Sequence, residues 1–316
     1  MSDAPSILVV GYNAWDVSVV LAAPPAPDTK LEVPPIRMGG GGPGATAAFA
    51  LARLGARVRL LSPLTGDEAG RMQAKELEAA GVDISLCPVH ADQSSAMAVI
   101  LVDPASGERM ILWSRGSVPC LPAPDDPETL LADTDLLYVD GHEPTASLSL
   151  AAAAAGCGIP VVMDAGSVRA GSAELVAACT DVISSRHFAP DLTGLHDPVA
   201  ALRALRDLGP RRVALTAGAD GVLALVDDRC VGVPAFAVAT VDTTGAGDAF
   251  HGGYAFARAE GRDFVACLRF GAATAALKCR ALGGRPALPS RSEVDDLLRD
   301  DIRRPLGGIV SGAIEK

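Results

Sequence analysis

The regular alternation of short apolar strands and helices in the second half of the chain constrains its fold more than any other feature. Strands are predicted at 136–139, 161–164, 182–184, 213–216 and 222–226. Helices are predicted at 147–156, 172–179, 198–208, 249–259 and 264–278. Because strands that alternate with helices are joined by crossovers, this pattern predicts a doubly wound, mostly parallel α/β sheet with helices on both faces.

A β-rich part of the chain does not fit that layer. Residues 12–38 contain two strand-like segments interrupted by prolines, and residues 95–116 contain a predicted hairpin. We expect these segments to form a small sheet that covers the site as a lid. The other N-terminal elements continue the main layer, and we assign residues 1–316 to one domain. These elements are strands at 7–11 and 58–62 and helices at 45–54 and 69–80.

Charge and composition argue against several classes of protein. The formal net charge is −11 and no basic stripe is present, so a nucleic-acid surface is not expected. No apolar run approaches the roughly 18 residues of a membrane helix, and no secretory signal is recognisable. The seven cysteines are scattered without a CxxC pair, as in proteins that keep reduced thiols. We therefore expect a cytoplasmic protein that acts on a small polar molecule.

The stretch VDTTGAGDAFHGGYAFA, residues 241–257, predicts a phosphate-binding turn. A strand-like segment at 236–241 leads into Gly245, Ala246 and Gly247, and a helix of small residues follows. Backbone N–H groups at such a helix start bind anions, and a carboxylate beside them, here Asp248, can accept a proton. This arrangement suits phosphoryl transfer to a hydroxyl. A tight strand-to-helix turn with Asp248 as a cap is the purely structural alternative.

The glycine-rich segment 39–44 matches the G-x-G-x-x-G pattern of dinucleotide-binding proteins. Two features argue against that interpretation. Pro34 and Pro35 interrupt the preceding strand, and the following strand ends without an acidic residue to hold a ribose. We therefore do not predict a dehydrogenase.

Two segments resemble the paired signatures of the PfkB, or ribokinase-like, carbohydrate kinases. DTTGAGDAFHGG resembles the C-terminal signature, and GGGGPGATAAFALARLGARVRLLSPLTGDEAG resembles the N-terminal one. They occur in the family's order, and the resemblance covers nearly the whole chain. It implies a ribokinase-like fold, ATP and Mg²⁺ as cofactors, phosphorylation of a small sugar's primary hydroxyl, and a homodimer formed through the lid.

The resemblance also implies roles for individual residues. Asp248 would be the base, with Gly245, Ala246 and Gly247 as the anion hole. The residues expected at the sugar are Asp16, Lys30, Gly41, Gly42, Thr46 and, from its place after a strand, His142. The residues expected at the nucleotide are Thr216, Gly218, Gly221, Ala272 and Ala275. Asp242 and Thr244 would hold a monovalent cation, with K⁺ as the candidate.

Several positions depart from the family's pattern. Thr46 replaces the usual asparagine, and 185–188 lacks the usual Asn-x-x-Glu, so Mg²⁺ would be positioned by water or by Asp164. We expect His251 to pack against the lid, with substrate contact as the alternative. Lys278 is expected to face solvent or the nucleotide.

The choice of substrate stays open. The segments GGGGPGATAA, FHGG, ALKC and GGRPALP most resemble the bacterial branch that contains sulfofructose kinase, and Lys30 lies where that branch places a cation. Trp113 and His142 replace the asparagine and arginine that the branch uses for the sulfonate. An uncharged or singly charged ketose therefore ranks first, ahead of sulfofructose or a phosphosugar. A nucleoside kinase is the nearest rival, and a non-catalytic sugar sensor is disfavoured because Asp248 is present.

Overall fold

A nine-stranded sheet forms the centre of the computed structural model, which describes residues 4–23 and 25–303. The strands are β1 Ser6–Val10, β2 Ala14–Val20, β3 Arg37–Gly41, β4 Arg57–Leu61, β5 Leu64–Thr65, β6 Val82–Asp83, β7 Val89–His90, β8 Met97–Val102, β9 Arg109–Ser114, β10 Leu136–Val139, β11 Val161–Ala165, β12 Asp181–Ser185, β13 Arg212–Thr216, β14 Val222–Val226 and β15 Arg229–Val233. The helices are α1 Pro43–Leu54, α2 Glu68–Ala79, α3 Pro127–Leu131, α4 Pro144–Cys157, α5 Ser172–Ala178, α6 Phe188–Thr193, α7 Pro198–Asp207, α8 Ala246–Ala259, α9 Phe264–Lys278 and α10 Arg291–Arg303.

The strand order is β15-β14-β13-β12-β11-β10-β1-β4-β6. All neighbours pair in parallel except β13/β14 and β14/β15, which are antiparallel. The predicted doubly wound, mostly parallel sheet is confirmed. Strands that follow β1 in the chain continue the sheet on one side through β4, and strands that follow β10 continue it on the other side through β11. The topological switch point of the sheet therefore lies between β1 and β10. Ligands of open α/β sheets bind at the carboxyl ends of the strands beside such a point.

The sheet is buried on both faces. Along β1, Ile7 and Val9 join one apolar cluster, whereas Leu8 and Val10 join the other. Residues of α1, α8 and α9 fill the first cluster, and residues of α4, α5 and α7 fill the second. Successive strand residues point to opposite faces, so a strand covered on both sides is continuously apolar, as the sequence of β1 is.

A separate four-stranded sheet, in the order β3-β2-β8-β9, is the lid. It contains a parallel β2/β8 pair between two antiparallel pairs, which confirms the predicted small sheet. The second strand of the 12–38 segment lies later than expected, because Pro34 and Pro35 have no N–H groups for pairing and β3 begins only at Arg37.

The strand-like segment expected at 236–241 is not a strand. Residues 234–242 form no helix or strand, and β15 already occupies that edge of the sheet. The N–H groups of Val241 and Asp242 instead donate to the carbonyl of Cys279, at 2.8 and 3.3 Å. This segment therefore pairs with the end of α9. Within the described ranges, no helix is long and apolar enough to cross a membrane.

Candidate active site

The N-terminus of α8 is the turn that the sequence predicts to bind an anion. Gly245 precedes the helix with a φ of 73°, and a Cβ there would lie 2.9 Å from the carbonyl oxygen of Gly284, so this position requires glycine. A Cβ on Gly247 would meet open space, apart from its own helix backbone and chain neighbours. The first turn of a helix leaves backbone N–H groups without partners inside the helix, at the positive end of its dipole. The N–H of Ala246 donates to the Thr243 carbonyl at 3.1 Å, so an anion at this turn would share that donor.

Asp248 lies half-buried in the first turn of α8. Burial raises the pKa of its carboxyl to about 6, and the nearby Asp164 acts in the same direction, whereas His251 and Arg109 oppose the shift. A carboxylate with this pKa is ionised at neutral pH and is a stronger base than an ordinary aspartate. Its position and charge suit the removal of a proton from a hydroxyl.

His251, one turn after Asp248, lies beneath the site and not against the lid, so the expected lid packing is wrong. It is 3% exposed, with Nδ1 2.7 Å from the carbonyl oxygen of Gly247 and Nε2 3.1 Å from that of Ile183. Both ring nitrogens therefore face carbonyl oxygens, which only accept hydrogen bonds. Nδ1 also lies 3.4 Å from Oδ2 of Asp164.

Asp164, the residue suggested for positioning Mg²⁺, is buried and hydrogen-bonded within the protein. It is 4% exposed, and the hydroxyl of Tyr138 donates to its Oδ2 at 3.1 Å. Burial raises the pKa of Asp164, and the charge of His251 opposes that shift. Tyr138 and His251 thus orient this carboxylate beside Asp248.

Asp140 organises the switch point, a role that the sequence interpretation missed. Its Oδ2 accepts from the backbone N–H groups of Tyr12 and Gly44, at 2.7 and 2.9 Å. Its Oδ1 accepts from the N–H of His142 at 2.9 Å. One carboxylate therefore joins the ends of β1 and β10 to the start of α1. An acidic residue directly after a predicted central strand was the available signal.

Asp16 lies on β2, on the same face of the lid as the buried Ser18. Asp16 pairs with Gly39 of β3. A Cβ on Gly41 would lie 2.0 Å from Oδ2 of Asp16, so glycine makes room for the carboxylate. Gly42 has a φ of 82°, and its Cβ would meet the Tyr12 carbonyl at 2.6 Å. Burial raises the pKa of Asp16 to about 7. These glycines fit the close packing expected at the sugar.

Arg285 is a second residue that the sequence interpretation missed. It is 3% exposed, and its Nη2 donates to the carbonyl of Gly41 at 2.9 Å. Its Nη1 lies 3.5 Å from Oε1 of Glu76, and its Nε lies 3.5 Å from Oγ1 of Thr46. The charge of Arg285 opposes the rise in the pKa of Asp16. The structure thus gives Thr46 a partner within the protein.

A cavity of about 360 Å³ lies between the lid and the loop that follows α9. Asp16, Gly39 and Gly40 line one side, and Gly283 and Arg285 line another. Lys30 lies exposed on the loop between β2 and β3 and does not line this cavity. The structure brings Asp16, the lid glycines and Thr46 together and leaves Lys30 apart from them.

His142 belongs to an aromatic group at the lid edge. Its ring stacks on Tyr12 at 4.5 Å between centroids and meets Trp113 edge-on at 6.1 Å. Its Nε2 lies 2.9 Å from Nη2 of Arg169. A guanidinium only donates, so this nitrogen of His142 accepts and carries no proton. Burial, the largest cause, lowers the pKa of His142, in agreement with a neutral ring.

The residues expected at the nucleotide come from two parts of the chain, the connection between β13 and β14 and the helix α9. Thr216 ends β13, and Gly218 begins a single 3₁₀ turn over Gly218–Asp220. Gly221 has a φ of 91°, and a Cβ there would lie 2.2 Å from the Val233 carbonyl, so it shapes the turn into β14. Ala272 and Ala275 lie on α9, which contacts β14 and β15.

The residues predicted to hold a monovalent cation, Asp242 and Thr244, are both buried. Lys278 lies with them. It is 0% exposed, and its ammonium group donates to the Asp242 carbonyl at 3.0 Å. The expectation that Lys278 faces solvent is therefore wrong.

Known proteins resemble the chain over most of its length. The model of the pfkB family of carbohydrate kinases matches residues 4–291. Ribokinase from Haemophilus influenzae is 30% identical over 265 residues, which are 82% of this chain and 87% of that protein. Nucleoside kinase from Methanothermobacter thermautotrophicus is 26% identical over 93% of this chain and 95% of that protein. The crystal structure of a proposed ribokinase from Agrobacterium tumefaciens superposes with a TM-score of 0.85 at 30% identity, covering 96% of this chain and 100% of that one.

Proposed function

Because the chain belongs to the pfkB family of carbohydrate kinases, we propose that it transfers the γ-phosphoryl group of ATP to the primary hydroxyl of a small sugar, with ketose-type sugars preferred. The observation that carries this proposal is the position of Asp248. Its carboxylate, with a pKa raised to about 6, lies in the same helical turn as the open backbone of Gly247. A base and an anion site so close together suit transfer of a phosphoryl group to a hydroxyl.

In this mechanism, Asp248 accepts the proton of the attacking hydroxyl as its oxygen bonds to the γ-phosphorus of ATP. The bond from that phosphorus to the β–γ bridging oxygen breaks, and ADP leaves. The N–H groups of the turn over Gly245, Ala246 and Gly247 stabilise the negative charge on the transferred group. Because these donors are fixed by the helix start, they need no rearrangement during the reaction.

Mg²⁺ neutralises phosphate charge in ATP-dependent transfer. Among the described residues, no group of three or more His, Cys, Asp or Glu side chains could hold a metal ion. The residues present fit a Mg²⁺ ion that enters with ATP and keeps phosphate and water oxygens as most of its ligands. Thr216 and Gly218 would lie near the nucleotide, with Ala272 and Ala275 beside its base.

Asp16 would hold the sugar by accepting hydrogen bonds from its hydroxyls. Gly41 and Gly42 leave room for the ring, and Thr46 lies behind them with Arg285. The group of Tyr12, Trp113 and His142 would form the far edge of the sugar site, because aromatic faces pack well against the C–H face of a sugar. The ring of His142 is neutral, and the guanidinium of Arg169 lies beside it, with Nη2 2.9 Å from His142 Nε2. We therefore rank an uncharged or singly charged ketose ahead of sulfofructose or a phosphosugar.

The test is ADP release with a panel of ketoses, aldoses, nucleosides and sulfosugars. We expect turnover with a ketose, and Asp248→Asn should lower kcat by about 10²–10⁴-fold while sugar and ATP affinities stay within a few-fold. Asp207→Asn, at an exposed position on α7, is the matched control and should keep full activity. Near-normal turnover of Asp248→Asn would remove Asp248 as the base.

A nucleoside kinase is the second candidate, because a relative with that activity matches most of the chain. The same panel of compounds distinguishes a nucleoside kinase from a ketose kinase. Preferred turnover of a nucleoside would replace the ketose in the proposal and would leave the role of Asp248 intact. ADP release with none of the compounds would favour a non-catalytic sugar-binding protein.

A further inference from the structure

We propose that the ammonium group of Lys278 replaces the monovalent cation expected at Asp242 and Thr244, so that the phosphate-binding turn is held in place without K⁺. Lys278 is the last residue of α9, and its side chain is completely buried. Its Nζ donates to the backbone carbonyl of Asp242 at 3.0 Å. The inference rests on the proposed kinase function only for its effect on catalysis.

Each oxygen of the Asp242 carboxylate accepts a hydrogen bond from the backbone. Its Oδ1 accepts from the N–H of Thr244 at 2.8 Å, and its Oδ2 accepts from the N–H of Gly283 at 2.7 Å. Asp242 is 0% exposed, and a buried carboxylate needs a nearby positive charge. Burial lowers the pKa of Lys278, and the negative charge of Asp242 is the largest influence that opposes this shift.

A K⁺ ion would meet an unfavourable environment beside this ammonium group. To use the Asp242 carbonyl, the ion would have to share it with Nζ, and two positive charges a few ångströms apart repel strongly in a buried site. The charge of Lys278 also lies at the C-terminus of α9, where the helix dipole favours a cation. The residues present therefore do not fit a K⁺ ion in addition to Lys278.

The link to catalysis is positional. Asp242 and Thr244 lead directly into Gly245 and the anion-binding turn, and Asp242 ties this segment to the loop after α9 through Gly283. Lys278 holds the start of the same segment through the hydrogen bond from its Nζ to the Asp242 carbonyl. It touches neither substrate in this scheme and acts through Asp242, which makes it a positioning residue.

Removal of the ammonium group should create the cation site that the wild-type chain lacks. Within the described part of the chain, Oγ1 of Thr244 is buried without a hydrogen-bond partner. In a Lys278→Ala variant, the Asp242 carbonyl would lose its Nζ partner and would become available as a ligand together with this oxygen. Both are hard oxygen ligands of the kind that alkali and alkaline-earth cations prefer.

The first experiment needs no substrate. The melting temperature of the wild-type protein is measured in choline chloride and in KCl at equal ionic strength, and we expect no difference. The Lys278→Ala protein should melt at a higher temperature in KCl than in choline chloride, because K⁺ then binds the folded state alone. Stabilisation of the wild type by K⁺ would overturn the inference. This readout is valid even if no sugar is found to be phosphorylated.

The second experiment uses turnover. Wild-type kcat should be the same in choline chloride and KCl, and Lys278→Met should lower kcat by about 10–100-fold with KM for the sugar nearly unchanged. Lys278→Ala should regain part of its kcat in KCl. Lys75→Met, at an exposed lysine on α2, is the control and should match the wild type. Activation of the wild type by K⁺, or full activity of folded Lys278→Met in choline chloride, would refute the role of Lys278.

Discussion

At the scale of single residues, the site is governed by how burial and neighbouring charge set the proton affinity of Asp248. Burial raises the pKa of this carboxyl to about 6, the carboxylate of Asp164 adds to the rise, and the positive charge of His251 opposes it. Only the ionised form can accept a proton from a hydroxyl. The proposed base, ionised Asp248, is therefore present above pH 6 and is lost as the pH falls through that value.

We predict that kcat falls about tenfold per pH unit below pH 6 and is flat above it. His251→Gln removes a positive charge that lowers the pKa of Asp248, so the midpoint should move to higher pH in that variant. The measurement is kcat against pH at saturating sugar and ATP. A midpoint near pH 4 in the wild type, or one that moves down in His251→Gln, would contradict this assignment.

At the scale of elements, the start of α8 contains two glycines with different physical roles. Gly245 needs glycine for the fold, because its φ is positive and a Cβ would contact the Gly284 carbonyl. Gly247 has ordinary helical geometry and open space in front of it, which leaves room for a phosphate to approach the backbone. A side chain at each position should therefore have a different effect.

Gly247→Val is predicted to fold normally and to lose ATP turnover, because its side chain fills the space of the anion. Gly245→Val should lose stability by about 1–3 kcal/mol through backbone strain. Thermal melts and ADP release distinguish the two variants. Normal kinetics in folded Gly247→Val would show that the turn is only a structural connection.

At the scale of the whole molecule, the lid has one face toward the site and one face toward solvent. On the outer face, the paired residues Val99 and Leu112 are 41% and 58% exposed, and Met110 beside them is 51% exposed. Inner-face residues of β8 such as Ile100 are buried. Apolar edge strands of this kind are prone to association unless they are covered.

We predict a two-fold dimer in which the lids of two chains cover each other's outer faces. Light scattering at micromolar concentration should give twice the chain mass, and Leu112→Asp should give the monomer. Val89→Asp, at an exposed position outside the lid, is the control and should stay dimeric. A wild-type monomer, or a dimer that Leu112→Asp leaves intact, would contradict the predicted interface.

Local patterns were enough to predict most elements and the helix start that carries Asp248. The period of apolar residues decides whether a segment is a strand or a helix, and β10, β14 and α9 have the predicted bounds. Asp248 and the turn before it are neighbours in sequence, so their mutual position follows from the start of one helix. The segment 236–241 was mispredicted because its β-branched residues favour a strand, whereas the sheet edge beside it was already occupied by β15.

The sequence by itself therefore determined the doubly wound sheet, the separate lid strands and the Gly-Ala-Gly-Asp turn, since each depends on residues within one or two turns or strands. Only the tertiary structure decided what surrounds that turn. Arg285 reaches a carbonyl 244 residues earlier, His251 reaches one 68 residues earlier, and Lys278 reaches one 36 residues earlier. Such contacts leave no periodic trace in a sequence, because a buried charge is placed by whatever partner the folded chain brings to it.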